Sequence, residues 1–173
     1  VGRRGAAQLG DLEVRKGDFH VAPAGSRHSR VSSRDGALLY LRGVPIGDPL
    51  DVARDLVTAW LPGKGPASRT VHADEGHWDA WSPGVDAKPL WDDGASQSAL
   101  VRMQPGARLP AHALAADEEC LLIDGELLLD DTLLRAGDYQ LARAGSPACE
   151  LASDVGALFY VRGARRPPAH RPC

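Results

Sequence analysis

GARLPAHALAADEECLLIDG, Gly106–Gly125, reads as a glycine turn, a short strand ending in His112, a loop, and an apolar strand that opens at Glu118 and closes on a second glycine turn. Downstream, GDYQLARAGSPA (Gly137–Ala148) supplies another turn-bounded strand. Two antiparallel strands that turn an imidazole and a carboxylate to the same side can hold a metal ion between them. Side chains two apart on a strand share a face, so an inward Glu118 brings Cys120 inward with it.

Outward from this stretch the chain repeats itself. GDFHVAPAGSRHSRVSSRDGALLYLRG (Gly17–Gly43) aligns without a gap on GDYQLARAGSPACELASDVGALFYVRG (Gly137–Gly163) at a constant offset of 120 residues. Nearly half of the aligned positions are identical, among them Gly17, Asp18, Gly25, Gly36, Tyr40 and Gly43. Gapless self-similarity of this length marks an internal duplication. The same offset sets Gly5 opposite Gly125 and Val1 opposite Leu121, so the first copy is expected to begin inside a strand and to leave a sheet edge and apolar faces to be covered. Val1 stands where an initiator Met would, and the one Met is Met103.

Between the copies, Asp48-Pro49 has the form of an N-cap and first helical residue, and Leu50, Ala53, Val57 and Trp60 recur at helical spacing. A short connecting helix over Leu50–Trp60 is predicted, broken by LPGKGP (Leu61–Pro66). From Thr70 onward, SALVRMQPG, RLPAHAL, EECLLIDGELLLDD, TLLRAGDYQLA, ACELAS and GALFYVRG are short apolar runs punctuated by Gly, Pro and Asp. That rhythm indicates an all-β antiparallel barrel or jelly roll. The expected layout is half of a first repeat over 1–47, helix and linker over 48–69, a complete domain over 70–164 and a tail over 165–173.

Composition narrows the function. A formal charge of −3 with both signs interspersed gives no positive field for phosphates, which argues against nucleic-acid binding. The one basic cluster, Arg162, Arg165, Arg166 and Arg171 among Pro167, Pro168 and Pro172, reads as a solvated end. No apolar run approaches the roughly 18 residues of a membrane span, and no signal peptide opens the chain, so a cytoplasmic protein is expected. Cys120, Cys149 and Cys173 show neither CxxC spacing nor an even count and read as reduced thiols. Arg in excess of Lys, with abundant Ala, Gly and Pro, fits a GC-rich bacterial genome. His72 and His77 in VHADEGHW read as part of a polar surface turn.

The spacing resembles that of the cupins. In the first cupin motif, G-x5-H-x-H-x3-E-x6-G, Gly106, His112, Glu118 and Gly125 fall in place and Leu114 stands at the second His. In the second, G-x5-P-x-G-x2-H, Gly137 and Gly145 fit, with Arg143 for the Pro and Ala148 for the His. The first copy keeps that second motif whole in Gly17, Pro23, Gly25 and His28. The combination W-x2-W-x2-GV-x2-K-x-L (Trp78–Leu90), ALVRMQPGARLPAH, EECLLIDGEL and AGDY resembles the cupin-like C-terminal domain of ChrR-type anti-sigma factors and the bicupins related to it. The resemblance implies a jelly-roll barrel, frequent dimerisation, and a zinc or other divalent metal held at the positions of His112, Leu114, Glu118 and Ala148. Two of those four ligands are absent here. The family's anti-sigma activity resides in a separate N-terminal helical domain with His and Cys zinc ligands, so it does not carry over.

Two functional classes follow. The leading one is a non-catalytic bicupin, a binding, sensory or regulatory module with no firmly bound metal in its second barrel and a small ligand in a pocket formed by His112, Glu118, Trp81 and Trp91. The alternative is a metal-dependent, dioxygenase-like cupin enzyme. Its site would lie in the first copy around His28, or be rebuilt from His112, Glu118 and Cys120. Either class is expected to form a homodimer. Trp78, Trp81 and Trp91 otherwise read as core or interface residues.

Overall fold

The computed structural model describes residues 5–22, 30–43 and 68–164, and every regular element among them is a strand. No helix among these residues is long and apolar enough to cross a membrane. The helix read over Leu50–Trp60, His28 and the 165–173 tail lie outside the described residues. The chain divides into two units, Val1–Asp74 and Glu75–Cys173.

In the first unit, β1 (Ala7–Leu9) pairs antiparallel with β2 (Leu12–Val14) and with β4 (Val31–Ser32). β3 (Phe19–Val21) pairs with β5 (Arg69–Val71). Asp18, just before β3, ties these pieces together. Its carboxylate accepts hydrogen bonds from the backbone N–H of Arg15 (2.9 Å) and Ala73 (2.8 Å) and meets Nδ1 of His72 at 2.9 Å. Burial alone would raise this carboxyl's pKa, but the hydrogen bonds from Ala73 and Arg15 and the contact with His72 outweigh it and hold the value below the usual carboxylate range.

The second unit is one nine-stranded sheet curled into a nearly closed antiparallel barrel. Its strands are β6 (Asp79–Ser82), β7 (Val85–Asp92), β8 (Ser96–Met103), β9 (Ala107–Leu109), β10 (Glu118–Leu129), β11 (Thr132–Arg135), β12 (Tyr139–Ala142), β13 (Leu151–Ser153) and β14 (Ala157–Ala164). The main path runs β6-β7-β8-β14-β10-β13-β9, and β11 and β12 also pair with β10. Alternation along the strands sends Val85, Ala87, Val101, Met103, Leu122, Leu127 and Phe159 into one continuous apolar core. Outside that core a second buried set includes Lys88, whose side chain is only 2% exposed. Its ammonium donates to the Glu75 carbonyl and lies 4.8 Å from the centroid of the Trp78 ring, with the Arg102 guanidinium 4.4 Å from the same ring. Trp78 and Lys88, the two ends of the Trp-x2-Trp-x2-Gly-Val-x2-Lys pattern, therefore form a cation and aromatic clasp with Arg102.

The duplication in the sequence is also a duplication of register. Ala7↔Val14, Gln8↔Glu13 and Leu9↔Leu12 in the first unit are repeated as Leu127↔Leu134, Leu128↔Leu133 and Leu129↔Thr132 in the second. Gln8↔Ser32 and Leu9↔Val31 recur as Leu128↔Ala152 and Leu129↔Leu151. Even the turn bonds recur: Ser33 Oγ donates to the Ala6 carbonyl at 2.7 Å, and Ser153 Oγ to the Glu126 carbonyl at 2.6 Å. One substitution within the repeat is conformationally costly. Gly10, with φ at 63°, is replaced by Asp130, which keeps a left-handed φ of 45°.

Two local expectations are corrected. The strand read as ending in His112 stops at Leu109, because Pro110 has no N–H to continue the ladder, and His112 stands on the loop beyond. Gly125, read as a turn, lies inside the twelve-residue β10. The register shifts between Leu122 and Asp124, and at Gly125 φ is +79°. This bulge bends one continuous strand, so that its first half pairs with β12 and β14 and its second with β11 and β13.

Candidate functional site

Inside the barrel of the second unit lies a cavity of about 430 Å³, within the range of small-molecule sites. Its buried floor comes from Leu109, Leu129 and Phe159, and its wall includes Trp81. Glu118 and Cys120, two apart at the start of β10, both line it. From the loop after β9 come His112 and Leu114.

The polar centre of the cavity is the pair His112 and Glu118, whose Nε2 and Oε2 atoms are 3.4 Å apart. Their side chains are 31% and 17% exposed, so a molecule entering the cavity can reach both. Gly163, on β14, makes room for the carboxylate: a Cβ there would stand 3.1 Å from Glu118 Oε2. A side chain at this position would push the Glu118 carboxylate aside by a few tenths of an ångström. The start of β10 is tied to the end of β12, where Asp117 accepts from Arg143 Nη1 at 2.8 Å and from the Ala144 N–H at 2.9 Å.

Two thiols face the same space. Burial pushes the Cys120 thiol up to about 12, with the Glu118 charge adding to the effect. Burial also raises Cys149, helped by Asp130 and then Glu118. Both therefore stay protonated near neutrality, a poor state for a nucleophile.

A metal of the kind the cupin resemblance implies does not fit this donor set. Structural and catalytic zinc sites use three or four protein ligands. Here His112 and Glu118 contact one another, Leu114 occupies a third position, and Ala148 is not among the lining residues. Among the described residues, no three His, Cys, Asp or Glu side chains converge closely enough to hold an ion.

Of the four residues expected to form a pocket, His112, Glu118 and Trp81 line the cavity and Trp91 does not. A register shift between Pro89 and Trp91 on β7 breaks the alternation there, leaving Leu90 buried at 1% and Trp91 half-buried. Sequence reading missed Asp130, Asp131, Gln140 and Cys149. Asp130 and Asp131 passed for turn residues, which they also are. Cys149 adjoins the lost ligand position 148, and only the path of the loop before β13 brings it to the cavity instead.

The architecture is shared with a solved structure. An acetylacetone dioxygenase from Acinetobacter johnsonii superposes with a TM-score of 0.52 at 16% identity, over 61% of this chain and 79% of that one. An RmlC-like cupin from Shewanella frigidimarina gives 0.49 at 15% identity, over 58% and 91%. The Rhodobacter sphaeroides complex of SigE with the anti-sigma ChrR gives 0.49 at 17% identity, over 53% of this chain and only 50% of that one. No curated protein matches the chain. The profile of the ChrR cupin-like domain matches residues 66–164, more than half of the sequence, and the chain belongs to that family.

Proposed function

We propose that this chain is a non-catalytic cupin module that binds a small ligand in the barrel of its second unit. The observation that carries this reading is the cavity itself: it is open to solvent at a His–Glu pair, while positions 114 and 148 no longer offer metal ligands. Such a site can orient a ligand through His112 and Glu118 against the apolar wall of Trp81 and Phe159. It lacks the converging donors that would activate dioxygen or polarise a carbonyl through a metal. The module acts as a homodimer, which is supported by the exposed apolar segment Gly36–Gly43 of the first unit.

Elemental analysis of the purified protein, combined with melting in the presence and absence of zinc, tests the reading. The expected result is less than stoichiometric metal and a melting temperature that zinc leaves unmoved, because a ligand stabilises only a fold that binds it. One equivalent of tightly held metal, lost on Cys120→Ser, would overturn the reading in favour of a metal-dependent enzyme built on His112, Glu118 and Cys120.

A further inference from the structure

The ionisable groups around the cavity are strongly biased in sign. Glu118, Asp130 and Asp131 line it; among the described residues His112 is the one lining side chain able to take a positive charge, and no lysine or arginine lines it. The described arginines adjacent in sequence to lining residues are committed elsewhere. Arg108 Nη1 is 2.6 Å from Glu150 Oε1, Arg143 Nη1 is 2.8 Å from Asp117 Oδ2, and Arg162 Nη2 is 3.4 Å from Asp93 Oδ2 and donates to Ser96 Oγ at 2.6 Å.

The charges are also graded in depth. Asp130 and Asp131 are exposed, at the turn between β10 and β11, while Glu118 is largely enclosed. Buried Leu109, Leu129 and Phe159 form the floor, and Trp81 stands on the wall. An acidic rim followed by an enclosed carboxylate and an apolar floor draws in a positive charge and repels a carboxylate or phosphate.

We propose that the cavity takes a small organic cation, a primary amine or guanidine carried on an apolar body, with Glu118 as its inner counter-charge and Asp130 and Asp131 at the entrance. This rests on the reading of the barrel as a ligand-binding module. At 3.4 Å the contact between His112 and Glu118 is long for a hydrogen bond, so an ammonium group can compete for the carboxylate. The apolar body packs on Trp81 and Phe159.

The test uses the full chain, treated with a chelator, and three probes of one shape: benzylamine, benzyl alcohol and benzoate. Binding is followed by calorimetry and tryptophan fluorescence. Benzylamine is expected to bind about tenfold or more tightly than the other two, with an advantage that shrinks as salt is added. Glu118→Gln, which keeps the side chain's size, should abolish that advantage, and Asp131→Asn at the exposed rim should reduce it. The rim variant keeps the test decisive if the inner one fails to fold. Equal or tighter binding of benzyl alcohol or benzoate would sink the cation assignment while leaving a small-molecule site in place. An advantage undiminished in both variants would place the amine elsewhere and overturn the proposal. Failure of all three probes to bind at up to about 10 mM would count against the proposal and the ligand-binding reading together.

Discussion

At the scale of single residues, Gly125 is the described glycine with the least room for a side chain. Its φ of +79° already penalises any side chain, and a Cβ there would lie 2.0 Å from the Gly156 carbonyl oxygen. Gly125→Ala is therefore expected to cost about 3 kcal/mol or more. Gly106 has a similar φ of +80° but nothing within 4 Å of a Cβ, so Gly106→Ala should cost about 1–2 kcal/mol. Urea unfolding of both variants separates conformational strain from collision, and equal losses would contradict the close approach at Gly125. Lys88 makes the second residue-scale case. Its buried ammonium serves the Glu75 carbonyl and the face of Trp78. Lys88→Met keeps the packed stem and should lose about 1–3 kcal/mol by leaving that carbonyl without its donor. The same denaturation experiment reads it.

Between elements, Asp18 joins the turn before β3 to the segment after β5 through Arg15, Ala73 and His72. Its pKa in the folded protein is held below the usual carboxylate range. The sign follows directly: the ionised form is favoured by folding, so the contribution is fully present above the unfolded value. It disappears as the pH falls through the lower folded value. Stability measured from neutral pH downward should thus decline less steeply in Asp18→Asn than in the wild type, with the two curves converging in acid. Parallel curves would mean that the Asp18 contacts do not bias its ionisation. Some slope remains in the variant, because Asp93 and Asp117 are also held low, chiefly by backbone hydrogen bonds from Ser96 and Ala144 respectively.

For the whole molecule, the two copies of one sequence meet different fates. In the second unit Ala157–Ala164 is a central strand between β8 and β10, with Phe159 only 2% exposed. Its counterpart at 37–43 forms no strand, and Leu38 and Leu41 are 89% and 83% exposed. A segment with the composition of a central strand that presents two leucines to solvent favours association with a second copy of the chain. Sedimentation should show a dimer at micromolar concentration, and Leu38→Glu combined with Leu41→Glu should shift it toward monomer while the second unit keeps its melting behaviour. A wild-type monomer under those conditions would contradict this assignment.

The sequence by itself determined the barrel and the duplication, since both are written in local signals. Alternating apolar residues set the strand faces, and Gly or Pro sets the ends. A gapless offset then carries the register of β1, β2 and β4 onto β10, β11 and β13. It also pointed to His112 and Glu118 through the cupin resemblance and to Cys120 through strand parity, and all three line the cavity. What only the tertiary structure decided depends on departures from that regularity and on approach across the sheet. The bulge at Pro89–Trp91 takes Trp91 out of the cavity, and the bend at Gly125 turns an apparent strand end into the middle of β10. The rim of Asp130 and Asp131 and the thiol of Cys149 reach the cavity along loop paths that no periodicity specifies. Local periodicity fixes which way a side chain points along one strand, but the meeting of side chains from β10, the loop after β9 and the loop before β13 is set by how the closed sheet curves.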